Sequence, residues 1–175
     1  YFHAGQASGR MVHTIVYDAD AQKDFVRGLG IEFSVPFREE IQNRHVRLAG
    51  DTGMWAEPVK PLTGRRVIAF PQRGNIFPDQ LAGKRIPAFA EFPAQGQTDI
   101  TSAADWDDFR LAQLHPDGFT VEKRTNPQSA WLHVLDGHRS PGLVFLGDTS
   151  GGVAAVIKDF WQKNPVSLEV NGATT

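Results

Sequence analysis

The groups in this sequence best suited to proton transfer or anion binding are imidazoles and guanidiniums at the ends of β-patterned runs. Asn43-Arg44-His45 opens one such run, while His133 and His138-Arg139 flank the turn at Asp136-Gly137. A hairpin there would bring the two imidazoles near each other. Lys123-Arg124 closes another run, and Arg65-Arg66 follows Thr63-Gly64. A histidine beside an arginine joins a group that titrates near neutrality to a fork that grips carboxylates bidentately. Trp55, Trp106, Trp131 and Trp161 add flat apolar faces of the kind that stack on the C–H faces of sugar rings.

Each of these has a plainer reading. A tryptophan on a strand is usually core. A basic residue at a strand end is usually solvated or salt-bridged, which is the preferred reading of Arg65-Arg66. His133 and His138 have no third ligand at a helpful spacing, so no metal site is read from them. His13 alternates with Met11 and Ile15 and reads as a hydrogen-bonded core histidine. Asn43-Arg44-His45 and His138-Arg139 are the stronger functional candidates, because both set titratable and anion-binding groups at loop edges.

Several kinds of chemistry have no signature here. The chain has no Gly-x-Ser-x-Gly elbow, no phosphate-binding loop and no His-Glu-x-x-His metal helix. Gly147 to Gly152 is glycine-rich but sits in a hairpin pattern and opens no helix, so it does not read as a phosphate cradle. With no cysteine there is no disulfide framework and no thiolate nucleophile. Eighteen basic residues against 20 acidic ones argue against a nucleic-acid partner recognised by bulk charge. No apolar run approaches the ~20 residues that cross a bilayer, and no membrane partner is expected.

The elements that must position these groups are mostly strands. At 175 residues, 41% of them hydrophobic, the chain has the size of one ordinary domain with its own core. Leu29, Ile31, Phe33, Val35 and Phe37 alternate with Gly30, Glu32, Ser34 and Pro36, the pattern of a half-buried strand whose proline marks a sheet edge. Met11 to Tyr17 and Arg44 to Ala49 read as two more. Leu111 to Leu114 and Phe119 to Lys123 flank His115-Pro116-Asp117-Gly118, a hairpin signal. Trp131 to Leu135, Gly142 to Leu146 and Gly152 to Ile157 complete the set. Ala21 to Gly28 and Ser102 to Phe109 have room for a turn or two of helix. Trp55 to Pro93 carries prolines at 58, 61, 71, 78, 87 and 93 and reads as extended, looping chain. The expected fold is all-β: an antiparallel β-sandwich with long Pro-rich loops and little helix, spanning 1–175 as one domain.

Two sets of motifs carry a resemblance. Val12-His13-Thr14-Ile15-Val16-Tyr17-Asp18, Lys23 to Ile31 and Asn43-Arg44-His45-Val46 resemble the exo-rhamnogalacturonan lyases. So do Gly137-His138-Arg139-Ser140-Pro141-Gly142-Leu143, Gly151-Gly152 and Lys158-Asp159-Phe160-Trp161-Gln162-Lys163-Asn164-Pro165. The match runs from roughly the tenth residue to the C-terminus, with no recognised motif between Arg73 and Ala104. In that family an N-terminal β-barrel, a central β-sandwich and a C-terminal α/α toroid are expected, and this chain looks like the central sandwich. Tyr1-Phe2-His3-Ala4-Gly5 has no initiator methionine, basic leader or apolar stretch, which suits a piece of a longer chain. The resemblance implies cleavage of the rhamnogalacturonan backbone of pectin by β-elimination, in an extracellular or periplasmic parent, on a pectic oligosaccharide or polysaccharide. It calls for no cofactor and leaves calcium open.

β-Elimination needs a base for the C5 proton of galacturonate, a cation on the neighbouring carboxylate, and an acid or water for the departing O4. That chemistry, and not the resemblance, nominates Arg44 and Arg139 for the uronate and His45 and His138 for proton transfer or hydrogen bonding. Asn43 and Trp161 join them as substrate contacts, with Lys123 and Arg124 second in rank. Three readings then compete: a cleft wall of a lyase, a non-catalytic carbohydrate-binding sandwich, and a structural spacer. The chain alone is expected to be inactive. A large exposed apolar patch would favour a piece interlocked with its neighbours over a free-standing module.

Overall fold

The computed structural model describes residues 1–20, 22–63 and 76–175, in two units, Tyr1–Phe33 and Ser34–Thr175. The sandwich lies within the second. Its strands are β1 (His45–Ala49), β2 (Met54–Pro58), β3 (Asp108–His115), β4 (Gly118–Arg124), β5 (Leu132–Gly137), β6 (Leu143–Asp148), β7 (Gly151–Val156) and β8 (Val166–Val170). One antiparallel sheet runs β2-β1-β6-β7 and the other β5-β4-β3-β8.

Alternation within the strands builds the core. On β1, Val46 and Leu48 are wholly buried, and they pack with Phe109 and Leu111 of β3, Phe119 and Val121 of β4, and Val144 of β6. These residues come from both sheets and form one cluster, so the sheets lie face to face. The β3–β4 hairpin turns at the Pro116-Asp117 signal as expected. β5 and β6, however, belong to different sheets, so the Asp136-Gly137 turn makes no hairpin. The chain crosses between layers there. Gly142, in that crossing, has φ +74 and lies so close to Phe160 that a Cβ on it would sit 2.2 Å from the phenylalanine Cβ.

The described residues of the Pro-rich stretch hold more regular structure than its composition suggests. They supply most of β2 and all of α1 (Phe77–Leu81), and α2 (Ala94–Ser102) follows directly. Pro78 sits in the first turn of α1, and Pro93 immediately precedes α2, where a missing N–H costs nothing. Leu62, Ile76, Ile86, Phe92 and Ile100 form a second, smaller core there. The Gln80 side chain ties α1 down, accepting from Leu62 N and donating to the carbonyls of Gln42 and Lys60. The helix expected across Ser102 to Phe109 is absent, because α2 ends at Ser102 and β3 begins at Asp108. β8 fell outside the expected set. Among the described residues no helix is long and apolar enough to cross a membrane.

Tyr1–Phe33 has no helix or strand among its described residues. A Phe2–Gly9 bridge, a bond from Tyr17 Oη to Asp24 O and a turn at Asp20–Asp24 are its local order. The strands expected over Met11 to Tyr17 and Leu29 to Phe37 do not form; of the helix expected over Ala21 to Gly28, Ala21 lies outside the described residues and 22–28 hold a turn and no helix. His13 is exposed and is no core histidine, since this unit has no second layer to bury it.

Candidate functional site

Asn43 and Arg44 lead into β1, which His45 opens, and all three are engaged within the protein. Asn43 is buried, and its Oδ1 accepts from Ile86 N at 3.0 Å. Arg44 donates to the carbonyls of Glu39, Ala173 and Thr175, with its guanidinium 4.2 Å from the Phe37 ring centroid. Burial lowers its pKa, and the charge of Asp148 counters that. His45 is 7% exposed, and its ring centroid lies 5.1 Å from that of Phe145. Burial, and then the charge of Arg47, push its pKa down, while the Asn43 carbonyl and Asp148 push the other way.

Lys123 and Arg124 end β4. Lys123 turns between the sheets, pairs with Glu57 of β2, and holds its ammonium 3.9 Å from the Trp106 ring centroid. Arg124 Nε donates to Asp108 Oδ2 at 2.6 Å and its Nη1 to Pro127 O. Its guanidinium and that of Arg110 both lie 4.4 Å from the Trp131 ring centroid.

The structure does bring His138, Arg139 and Trp161 to one place. Arg139 lies over Trp161, guanidinium carbon to ring centroid 4.5 Å, and its Nε is 3.3 Å from Asp117 Oδ1. His138 Nδ1 is 3.8 Å from Asp117 Oδ2. The side chains of His138, Arg139 and Asp117 are all more than half exposed. The loop beneath them is held firmly. Wholly buried Gln113 donates to the carbonyls of His115 and His138 and accepts from Ser140 N, while Ser140 Oγ donates to Ala49 O. His138 N donates to Asp51 Oδ2. An exposed cation and imidazole thus stand beside an aromatic face on a loop whose backbone is fixed, a surface suited to an acidic sugar.

Sequence reasoning missed Asp117, reading its tetrapeptide as a turn and not as the source of a carboxylate. It also missed Gln113, whose signal was available: an amide among apolar residues on a core strand needs backbone partners. Asp148 was missed as well. It is 4% exposed, and its carboxylate accepts from Arg38 N, Glu39 N, Ser150 N and Ser150 Oγ. Burial would raise its pKa, but these bonds hold it well below the usual carboxylate range. His133 pairs with Asp136 at 3.2 Å while His138 faces Asp117, so the two imidazoles answer to different carboxylates. Among the described residues no group of three or more His, Cys, Asp or Glu is placed to hold a metal ion. Arg65-Arg66 lies outside the described residues. A shallow groove along α2, lined by Phe89, Ala94, Gln97, Thr98, Thr101 and Ser102, has no charged lining.

Two facing antiparallel sheets, with a charged and aromatic loop between β5 and β6, define a β-sandwich domain. The chain belongs to the family described as the PcRGLX-like protein central beta sandwich domain, matched over residues 1–175. It is therefore a β-sandwich domain of the rhamnogalacturonan-lyase-like proteins. It is also 36% identical over 174 residues to the uncharacterized protein YetA of Bacillus subtilis (strain 168). That match covers 98% of this chain and 20% of YetA, so the chain spans about a fifth of the length of the curated relative it matches.

Proposed function

We propose that this sandwich is the central domain of a pectin-degrading polysaccharide lyase that cleaves the rhamnogalacturonan backbone by β-elimination. It lines part of a substrate cleft shared with the C-terminal α/α toroid of the same polypeptide, which also carries an N-terminal β-barrel. The observation that carries the reading is the Arg139–Trp161 stack. Of the nominated arginines, Arg44 and Arg124 spend donors on backbone carbonyls, whereas Arg139 is half exposed and holds an exposed carboxylate. A uronate carboxylate displacing Asp117 would meet a guanidinium already oriented by the indole. Neutralising that carboxylate acidifies C5–H, the first requirement of the elimination. His138 stands beside it as the hydrogen-bonding or proton-transfer group.

The test is single alanine replacement in the full-length protein, with turnover followed by the ultraviolet absorbance of the unsaturated uronate. Arg139→Ala is expected to lower kcat/KM at least about tenfold, roughly 1.4 kcal/mol. Wild-type turnover in both Arg139→Ala and His138→Ala would sink the assignment. The same stack also favours a second reading, a carbohydrate-binding sandwich without chemistry. In that case Arg139→Ala weakens oligosaccharide binding by this chain and leaves the kcat of the full-length protein at the wild-type value.

A further inference from the structure

The most unusual surface of the molecule is Tyr1–Phe33. Val12, Val16, Phe25, Leu29, Ile31 and Phe33 are all more than half exposed, with Val16 at 86% and Phe25 at 78%. Scattered exposed apolar residues are ordinary, but a whole segment of them marks an interaction surface. The pattern within the segment says what kind. Over residues 11–17, Met11, Ile15 and Tyr17 share one face of an extended strand with His13, and Val12 and Val16 share the other with Thr14, so both faces are mainly apolar. A strand apolar on both faces belongs in the interior of a sheet covered on both sides. Over 29–37 one face is apolar and the other carries Gly30, Glu32, Ser34 and Pro36, which is the pattern of an edge strand.

The second run is also moored at one end. Phe37 lies against the Arg44 guanidinium, and the Arg38 and Glu39 N–H groups bond Asp148 Oδ2 at 2.7 and 3.1 Å. The chain therefore leaves the sandwich at a fixed point, carrying strand-patterned sequence whose backbone has no ladder partner among the described residues. We infer that residues 11–17 and 29–35 are strands contributed to a sheet in a flanking domain of the longer polypeptide. They complete that domain by β-strand addition and do not belong to this sandwich's own sheets. The partner is identified by length: four-fifths of YetA lies outside the part that matches this chain, so a polypeptide of that size has ample structure to receive the strands. The inference rests on the multidomain reading above but not on its chemistry.

Hydrogen–deuterium exchange on the full-length protein tests it. Amides of 11–17 and 29–35 are expected to exchange on the order of 100-fold more slowly than those of the exposed loop Thr125–Ser129. In this chain alone they should exchange as fast as that loop. Loop-like exchange in the full-length protein overturns the inference. Equal protection in this chain alone, appearing only at concentrations where it dimerises, also overturns it by making a second copy the partner. Val12→Asp with Val16→Asp should lower the full-length Tm and leave the Tm of this chain unmoved. Protection without lyase turnover breaks the functional reading and leaves this one standing. Turnover without protection does the reverse.

Discussion

His45–Ala49 and Leu29–Phe33 are written in the same alphabet of alternating apolar residues and meet opposite fates. In the first, Val46 and Leu48 are wholly buried between two sheets. In the second, Leu29, Ile31 and Phe33 are 69%, 51% and 54% exposed. The difference lies in neighbours and not in pattern. β1 has β2 on one side and β6 on the other, so its backbone is laddered along both edges, and Val46 and Leu48 meet a facing layer. The earlier run has the apolar face and lacks the ladder. Alternation therefore states which side of a strand wants burial, and leaves open which piece of protein will bury it.

The sharpest way to break this comparison is to remove apolar bulk from each region. Phe109→Ala should cost this chain about 3–5 kcal/mol in denaturant unfolding, the range for emptying a packed aromatic site. Ile31→Ala should change it by no more than about 0.5 kcal/mol. Comparable losses at the two positions would mean that the first unit shares the core. Next in size is Gly142→Ala, where a methyl would collide with Phe160 at a positive φ. A loss of about 1–3 kcal/mol is expected, and an unchanged denaturation midpoint would contradict the close approach.

A smaller effect depends on pH. The folded pKa of His45 is depressed, so its contribution is fully present above the unfolded value of about 6.5 and is lost as the pH falls toward the folded value. The folded pKa of Asp148 is depressed too, and its contribution fades only below the ordinary carboxylate value of about 3.9. His45→Gln should flatten the stability profile just below pH ~6.5 and leave the more acidic limb in place. Smallest of all, Arg139→Ala should move the stability of this chain by less than about 0.5 kcal/mol, because its partner Asp117 is exposed. That near-silence in stability would set Arg139, the proposed uronate ligand, apart from Arg44, whose bonds hold the residues near the C-terminus.

How much was legible follows from the same contrast. The sandwich class, β1, the β3–β4 hairpin and the runs that became β5, β6 and β7 were readable, because apolar alternation there is bounded by glycine, proline and aspartate turns. β2 was hidden, since Met54–Pro58 ends in proline and sits in a stretch that reads as loop. α1 and α2 were hidden for a different reason: their helical starts use Pro78 and Pro93, which look like breakers until a helix follows them. At the site, residue types and loop-edge positions picked out His138, Arg139 and Trp161, and the fold brings them together. The same logic also picked Arg44, Lys123 and Arg124. Spacing shows that a guanidinium or ammonium is present, but only packing shows that Glu57, Asp108 or a backbone carbonyl has already claimed it.

The strand order has a consequence for how the protein is made. β3, β4 and β5 follow one another in sequence and pair with their immediate neighbours, so this meander can close while the chain is still emerging from the ribosome. β1 pairs with β6, Val46 opposite Leu146, and until β6 is synthesised the β1–β2 hairpin is an isolated ribbon of marginal stability. At ordinary translation rates that wait is on the order of ten seconds. The β3–β5 meander is therefore expected to form ahead of the β1-containing sheet. Stalled nascent chains should show β3–β5 resisting protease well before β1 does, and earlier resistance at β1 would reverse that order.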